Sequence, residues 1–339
     1  MDDVGKVPRS FLETHVLGRL GAARPDVRLG PTHGVDFGLI DVGEQVVAIA
    51  TDPLFVPLSL GPERGAWYGF HAAIADIALS GLAPSHLSVT LMLPPTATGD
   101  ALEPVWRVID EEARALDAAI VTGHTGRYEG CDWPYVGAIT GLAVGEASRV
   151  VRPDGARPGD VVLVTNGPAV ETVGVLATQF GTALPVDPET AQVAAERFEE
   201  IAVVEDALTA AATGAVTAMH DATERGIDNA LHELAAASDV RLDVTRDDVP
   251  WGPGVEAVCS ALEIDPWTAS SEGTLLLAVD PDHVDRVLAV LQAGGTRVAA
   301  VGRVHEGSGV VADGEAVPEP DTDPFWAAYT RLAGEPREE

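Results

Sequence analysis

Nine residues in the middle of the chain, Arg152-Pro153-Asp154-Gly155-Ala156-Arg157-Pro158-Gly159-Asp160, are almost all turn formers and charges. Prolines remove backbone donors and glycines favour turns, so neither a helix nor a central strand is expected to run through them. On either side, apolar runs of strand length alternate with segments of helical period. The chain therefore reads as two α/β blocks, one over residues 1–150 and one over 151–330. Its 339 residues suit that division, since a domain takes roughly 100–200 residues.

Before the break, Phe11, Val16, Leu17 and Leu20 predict a helix over residues 8–20, with Pro8 near its start and Gly21 after its end. Residues 45–50 read as a buried strand that stops at Thr51-Asp52-Pro53, and 66–80 as an Ala-rich helix ended by Gly81. A strand is expected at 86–93 and a helix at 100–117. A short strand at 118–122 leads into Gly123-His124-Thr125-Gly126, and 134–145 is a further strand. After the break, a strand at 161–165 precedes a helix near 170–180, and a long helix covers about 187–213. A short strand at 216–219 gives way to a polar loop, His220-Asp221-Ala222-Thr223-Glu224-Arg225-Gly226. A helix at 227–238, strands near 240–245 and 274–279, a helix at 282–293 and a final strand at 298–301 follow.

Hydrophobic residues make up 46% of the chain, enough for a core in each block. Acids outnumber bases by 53 to 21, a formal net charge of −32. The acids are scattered among the hydrophobic periods and form no single tail. That pattern suits a salt-rich cytoplasm, where screening tolerates self-repulsion, better than a basic partner or metal buffering. With no basic patch to neutralise phosphates, a nucleic-acid partner is not expected. Cys131 and Cys259 have neither a CxxC nor a metal-binding spacing, and read as reduced thiols. The charged N-terminus carries no apolar signal segment, and no run approaches the roughly 20 apolar residues that span a bilayer. A cytoplasmic protein without a membrane partner is the expectation.

The carboxylates carry the chemistry. Asp36 lies in Gly34-Val35-Asp36-Phe37-Gly38, Asp52 at the expected strand end, and Asp76 in the apolar helix stretch Ile74-Ala75-Asp76-Ile77-Ala78. Taken singly, Asp36 and Asp52 read as cap or turn residues and Asp76 as a satisfied buried acid. An aspartate in an apolar helix face is costly unless it is paired or binds a cation. Taken together, they suit Mg2+, which prefers hard oxygen ligands and is commonly held by a few carboxylates plus substrate phosphates. Magnesium would also let an acidic protein hold ATP. His220-Asp221 reads either as an acid/base pair or as a polar turn before the helix at 227–238, capped by Thr223 and Glu224. His33 reads as a loop residue, and Arg127 and Arg152 as ion-pair partners or phosphate contacts. Cys131 has no neighbouring base to activate it. The segment from Thr165 to Glu171 follows a strand and opens a helix, so its amides either meet an anion or form a plain turn.

These segments resemble the aminoimidazole ribonucleotide (AIR) synthetase superfamily. It includes AIR synthetase, thiamine-monophosphate kinase, selenophosphate synthetase and the hydrogenase-maturation dehydratase. The resemblance covers nearly the whole chain. Gly34-Val35-Asp36-Phe37-Gly38-Leu39-Ile40 resembles the family's Gly-Asp-Asp-Ala-Ala-Val-Ile, and Thr51-Asp52 its Thr-Asp. Ala75-Asp76-Ile77-Ala78 through Pro84 resembles the Asn-Asp-Ile-Ala helix end, and Gly123-His124-Thr125 the Gly-Gly-(His/Asp/Glu)-Thr motif. His220-Asp221-Ala222-Thr223-Glu224 resembles His-Asp-x-Thr-Glu. Asp265-Pro266 with Ser271-Glu272-Gly273-Thr274-Leu275-Leu276 resembles Asp-Pro followed by Ser-x-Gly-Thr-Leu-Leu.

The resemblance implies a two-domain α/β (α+β) fold, with an N-terminal mixed sheet forming a shared barrel in a homodimer and a C-terminal α/β domain. It implies ATP and Mg2+ as cofactors, with Asp36, Asp52 and Asp76 facing metal. Gly34, Gly123, His124 and Thr125 would lie at the nucleotide, with His124 in a loop reaching the phosphates. The catalytic candidates are His220 and Asp221. The partner implied is a small-molecule substrate or a modified protein tail, and the reaction is phosphorylation or dehydration of an amide, thiocarbamate or phosphate-type acceptor. Val35, Ala75, Gly126 and Arg225 depart from the family pattern, where Asp, Asn, an acid and Gly are usual. Fewer metal ions, a retuned groove, or loss of turnover in a regulatory nucleotide-binding paralogue are the readings this leaves open. Gly5-Lys6-Val7-Pro8 and the local wording are most like hydrogenase-maturation members, although the tail Gly334-Glu335-Pro336-Arg337-Glu338-Glu339 lacks their cysteine. Activity like that of thiamine-monophosphate kinase or AIR synthetase is the alternative.

Overall fold

The computed structural model describes Val7 and residues 9–334. Gly5, Lys6, Pro8 and the tail after Gly334 therefore lie outside the described residues. The chain divides into two compact units. One joins Arg24–Pro31 to Asp36–Val150; the other joins Thr32–Val35 to residues 9–23 and 151–334. A helix, α1 (Arg9–His15), comes first, shorter than the expected 8–20.

The first unit contains β1 (Val27–Leu29), β2 (Gly38–Val42), β3 (Gln45–Phe55), α2 (Pro62–Leu79), β4 (Pro84–Leu93), α3 (Gly99–Ala115), β5 (Ala119–Arg127) and β6 (Tyr135–Gly145). Its sheet runs β1-β2-β3-β6-β4-β5. Only β4 and β5 are parallel there, because α3 carries the chain back between them. Along β3, Val46, Ala48, Ala50 and Leu54 are buried while Val47, Ile49 and Thr51 face the other way. This alternation follows from the two-residue period of a strand. The strand does not stop at residues 51–53 as expected. Pairing with β2 ends at Ile49, so beyond it β3 is paired on one side only, through Pro53 opposite Ala138 and Phe55 opposite Tyr135. A proline is tolerated there because no second ladder needs its missing N–H.

The second unit contains β7 (Val161–Thr165), α4 (Val170–Phe180), α5 (Pro188–Ala195), α6 (Val204–Ala212), β8 (Val216–Ala222), α7 (Gly226–Ser238), β9 (Arg241–Val244) and α8 (Val255–Leu262). It continues with β10 (Thr274–Val279), α9 (Val284–Gly294), β11 (Val298–His305), β12 (Gly309–Ala312), β13 (Glu315–Val317) and α10 (Pro324–Ala333). The sheet order is β13-β12-β9-β11-β7-β10-β8. Every residue of β7 and β10 is buried, as their unbroken apolar runs require at the sheet centre. Val162, Val164, Leu276 and Ala278 on these strands pack with Ile227, Leu231 and Leu234 of α7 in the core.

Two expectations fail here. The long helix at 187–213 is three pieces, with a 3-10 stretch Glu196–Ile201 between α5 and α6. Arg197, Phe198, Ile201, Val203 and Val204 are all buried, a wider arc than one helical stripe can bury. The strand expected to end at residue 219 continues through Ala222, because His220 pairs with Leu276 and Asp221 with Leu275 on β10.

Candidate functional site

In the first unit, Asp52 lies mid-strand on the β3 face that carries Ala50 and Leu54, and is half-buried. Thr51 points the other way, its hydroxyl 2.9 Å from that of Thr140. Asp76 is half-buried on α2. The next residue, Ile77, packs against Gly141 of β6, whose partner across the ladder is Ala50. Helix α2 thus packs on the β3 face to which Asp52 belongs. Asp36 is half-buried just before Phe37, which is buried ahead of β2. The oxygens of Asp36, Asp52 and Asp76 do not all lie within 4.8 Å of one another. The three carboxylates therefore do not close a cage by themselves. Carboxylate oxygens are the hard donors that Mg2+ prefers, and it commonly takes its remaining ligands from water and phosphate.

Gly123, His124 and Thr125 lie on edge strand β5, not in a loop, because β5 pairs with β4 as far as Arg127 opposite Leu93. Gly123 sits opposite Val89, and a β-carbon there would fall 2.1 Å from the Val89 carbonyl oxygen. Packing alone therefore demands this glycine. His124 Nε2 lies 2.6 Å from the Tyr128 hydroxyl. Thr125 and Arg127 border a cleft of about 390 Å3 at the start of α3.

In the second unit, His220 and Asp221 end β8, both buried, with a ligating atom of each within 4.8 Å of the other. His220 Nε2 lies 3.0 Å from Oε2 of Glu233 on α7. The other oxygen of Glu233 lies 4.0 Å from Nε2 of His33. Gly34, with φ +74°, passes so close that a β-carbon would fall 2.5 Å from the Glu233 carbonyl oxygen. Sequence reading did not find Glu233. It sits beside Leu231 and Leu234 on a buried helix face, the same signal of an acid out of place that singled out Asp76.

The first amides of α4 are taken within the protein: Val170 N–H donates to the Ser271 hydroxyl at 3.1 Å and Thr172 N–H to the Ser270 carbonyl at 3.1 Å. The segment from Thr165 is thus a turn tied to Ser270-Ser271. Arg152 pairs with Asp154 through Nε and Nη2 at 2.7 and 2.6 Å. Cys259 is buried, and burial pushes its thiol up to about 12, in keeping with an unreactive reduced cysteine. The N-cap position of α7 is Arg225, at φ +62°, with no side-chain cap of its own, one residue beyond the expected Thr223-Glu224.

The N-terminal domain of AIR synthase related proteins matches residues 34–147, and their C-terminal domain matches residues 157–314. The chain belongs to the AIR synthase related family. It is 30% identical over 262 residues to the carbamoyl dehydratase HypE of Escherichia coli, covering 76% of this chain and 74% of that protein. The crystal structure of E. coli HypE, a hydrogenase maturation protein, superposes with a TM-score of 0.68 at 25% identity, over 82% of this chain and 87% of that one. AaThiL complexed with AMPPCP and TMP shares the fold, with a TM-score of 0.69 at 20% identity over 86% and 91% of the two chains. The two-domain AIR-synthetase-like architecture expected from the motifs is therefore the one found.

The departures from the family pattern have local causes. Ala75 is fully buried in α2, where an amide would need a partner. A side chain at Gly126 would meet the Tyr128 ring, whose atoms lie 2.7–2.9 Å from a β-carbon built there. In this AIR synthase related chain, the aromatic partner of His124 takes the space of the usual acid. Arg225 adopts the left-handed conformation that glycine takes without strain, and its N–H donates to Asp323 Oδ2 at 2.8 Å.

Proposed function

We propose that the chain is an ATP- and Mg2+-dependent enzyme that phosphorylates or dehydrates an amide, thiocarbamate or phosphate-type acceptor. The observation that carries this reading is that α2, which bears Asp76, packs on the face of the first sheet to which Asp52 of β3 belongs. Phosphoryl transfer depends mainly on positioning and charge neutralisation, which such carboxylates supply through a metal ion. The carbamoyl dehydratase relative and the AMPPCP-bound AaThiL support the nucleotide and the reaction class. In this reading Asp36, Asp52 and Asp76 face the metal, and His124 and Thr125 lie at the nucleotide. His220 and Asp221 do acid/base work. Gly34 and Gly123 belong to the same segments but act through close packing. The unit of Arg24–Pro31 and Asp36–Val150 is the nucleotide-binding and dimerising domain of this reading, in place of the 1–150 expected, because residues 9–23 and Thr32–Val35 join the second unit.

A homodimer is part of the proposal. The face of the first sheet that alternates with its buried positions exposes Val42, Met92 and Val144. Exposed apolar strands of this kind suit a second copy better than water. The acceptor is a small molecule or a modified protein tail. The scattered acids fit a salt-rich cytoplasm, and no helix among the described residues is long and apolar enough to cross a membrane.

ADP release with Mg2+ in concentrated potassium chloride tests the enzyme. The wild type turns over with an acceptor of one of these classes, and Asp52→Asn and Asp76→Asn do not. Absence of wild-type turnover with every such acceptor sinks the enzyme reading. A nucleotide-binding paralogue without turnover is the second reading, favoured by the Tyr128 ring at the place of the family acid. It predicts a rise in melting temperature with MgATP and no ADP, since a ligand of the native state alone must stabilise it.

A further inference from the structure

We propose that Tyr128 is a positioning residue that holds the imidazole of His124 toward the nucleotide phosphates. This role rests on the reading of His124 as a nucleotide contact; the pairing of the two side chains does not. His124 and Gly126 lie two apart on β5, so they share a face of the strand. Tyr128 follows two positions further on, just past the strand end. A β-carbon built on Gly126 would lie 2.7 Å from the Tyr128 hydroxyl oxygen, 2.8 Å from Cε2 and 2.9 Å from Cζ. The far end of the ring therefore lies back over Gly126, along the strand. From there the hydroxyl reaches His124 Nε2 at 2.6 Å, and the two rings stack with centroids 6.0 Å apart and planes 29° apart. Glycine at 126 admits this geometry, since any side chain there would meet the ring.

Both residues are exposed, and an exposed imidazole on an edge strand can otherwise sample several rotamers. The Tyr128 backbone is anchored twice: its N–H donates to the Leu93 carbonyl at 2.9 Å, and its carbonyl accepts from Cys131 N–H at 3.4 Å. His124 sits in the ladder opposite Thr90. The bond between the side chains thus joins two fixed points and holds the imidazole in one orientation. It survives a change in the charge of that ring, because a phenol donates to a neutral imidazole nitrogen and accepts from an imidazolium N–H. With Nε2 committed to Tyr128, the ring meets a phosphate oxygen through Nδ1. In both of those states Nδ1 carries the N–H that an anion needs. Holding the ring in place before the ligand arrives lowers the ordering cost of binding.

The test is imidazole nitrogen NMR on the full chain labelled with 15N-histidine, the His124 signals being assigned by their loss in His124→Gln. Tyr128→Phe keeps the ring and removes the hydroxyl, and Gly126→Ala puts a methyl group where the ring lies. Both variants are expected to move the Nε2 signal from its wild-type position. In the ADP-release assay Tyr128→Phe is expected to raise the KM for MgATP roughly three- to ten-fold, the worth of one hydrogen bond, with a smaller fall in kcat. The MgATP dissociation constant, read from the concentration dependence of the melting temperature, is expected to rise by the same factor. An Nε2 signal unmoved in Tyr128→Phe overturns the proposal, and one unmoved in Gly126→Ala counts against the ring lying over residue 126. Wild-type MgATP affinity in Tyr128→Phe, when His124→Gln binds more weakly, overturns the positioning role and leaves His124 at the nucleotide. If His124→Gln binds MgATP as the wild type does, the reading of His124 as a nucleotide contact fails, and the positioning role falls with it.

Discussion

Arg246 Nη2 donates to Asp228 Oδ2 at 2.8 Å, and its guanidinium stands 5.0 Å above the Trp267 ring. Asp228 is buried in the first turn of α7. Burial pushes its carboxyl up to about 6; Arg246 opposes that shift and Asp265 adds to it. The value in the unfolded chain is near 3.9, so the native state binds this proton more tightly. The resulting stabilisation is full below about pH 3.9 and is lost as pH rises through about 6. Denaturant unfolding at pH 5 and pH 7.5 should show the wild type losing about 1 kcal/mol that Asp228→Asn does not lose. Parallel behaviour of the two proteins would rule Asp228 out as the source.

Gly34 and Gly43 both have left-handed backbones, φ +74° and +63°, but only Gly34 has a neighbour within reach of an added carbon. Alanine at Gly43 should cost about 1 kcal/mol, the conformational penalty alone. Alanine at Gly34 adds a 2.5 Å approach to the Glu233 backbone, which the helix must yield to. We expect a total of about 2–4 kcal/mol by equilibrium unfolding. Equal losses in the two variants would mean that the 32–35 segment is not clamped on α7.

Arg225→Gly should barely change stability. Glycine removes a left-handed penalty of about 1 kcal/mol. It keeps the backbone donor to Asp323 but gives up the 3.3 Å bond from Arg225 Nη1 to the Pro320 carbonyl, and it frees the unfolded chain. These terms oppose one another, and the net change is expected within about 1 kcal/mol. A loss above about 2 kcal/mol would give the arginine side chain a role beyond that single bond.

The sequence shows most clearly what is local or fully buried. Strand β7 was legible because its first four residues are an unbroken apolar run, and all five are buried. Asp76 stood out because a charge interrupts an apolar helix. The extent of β3 was hidden, since Pro53 stops a central strand and only the end of pairing at Ile49 makes it admissible. His220 and Asp221 read as loop because they are polar. The residues that draw them into a strand, Leu275 and Leu276, are more than 50 positions away along the chain. Tyr128 filling the space beside Gly126 is likewise a matter of side-chain direction, which residue spacing does not encode.

Acids exceed bases by 53 to 21, so even if every base paired with one acid, 32 acids would remain unneutralised. Exposed pairs such as Arg24–Asp26 and Arg241–Asp243 contribute little and weaken with salt. Repulsion among the excess acids also weakens with salt, and it involves more groups. Raising ionic strength from 0.1 M to 1 M shortens the screening length from about 10 Å to about 3 Å. Screening should therefore favour the compact state, since relief of repulsion exceeds the loss of surface pairs. We expect the melting temperature to rise by roughly 5 °C or more between 0.1 M and 1 M potassium chloride, equivalent to about 3.5 kcal/mol for a chain of this size. An uncharged osmolyte at matched osmolality is the control, because it acts by exclusion from the surface and leaves the charges unscreened. A melting temperature that stays flat or falls with potassium chloride would mean that the native state already neutralises its acids by pairing.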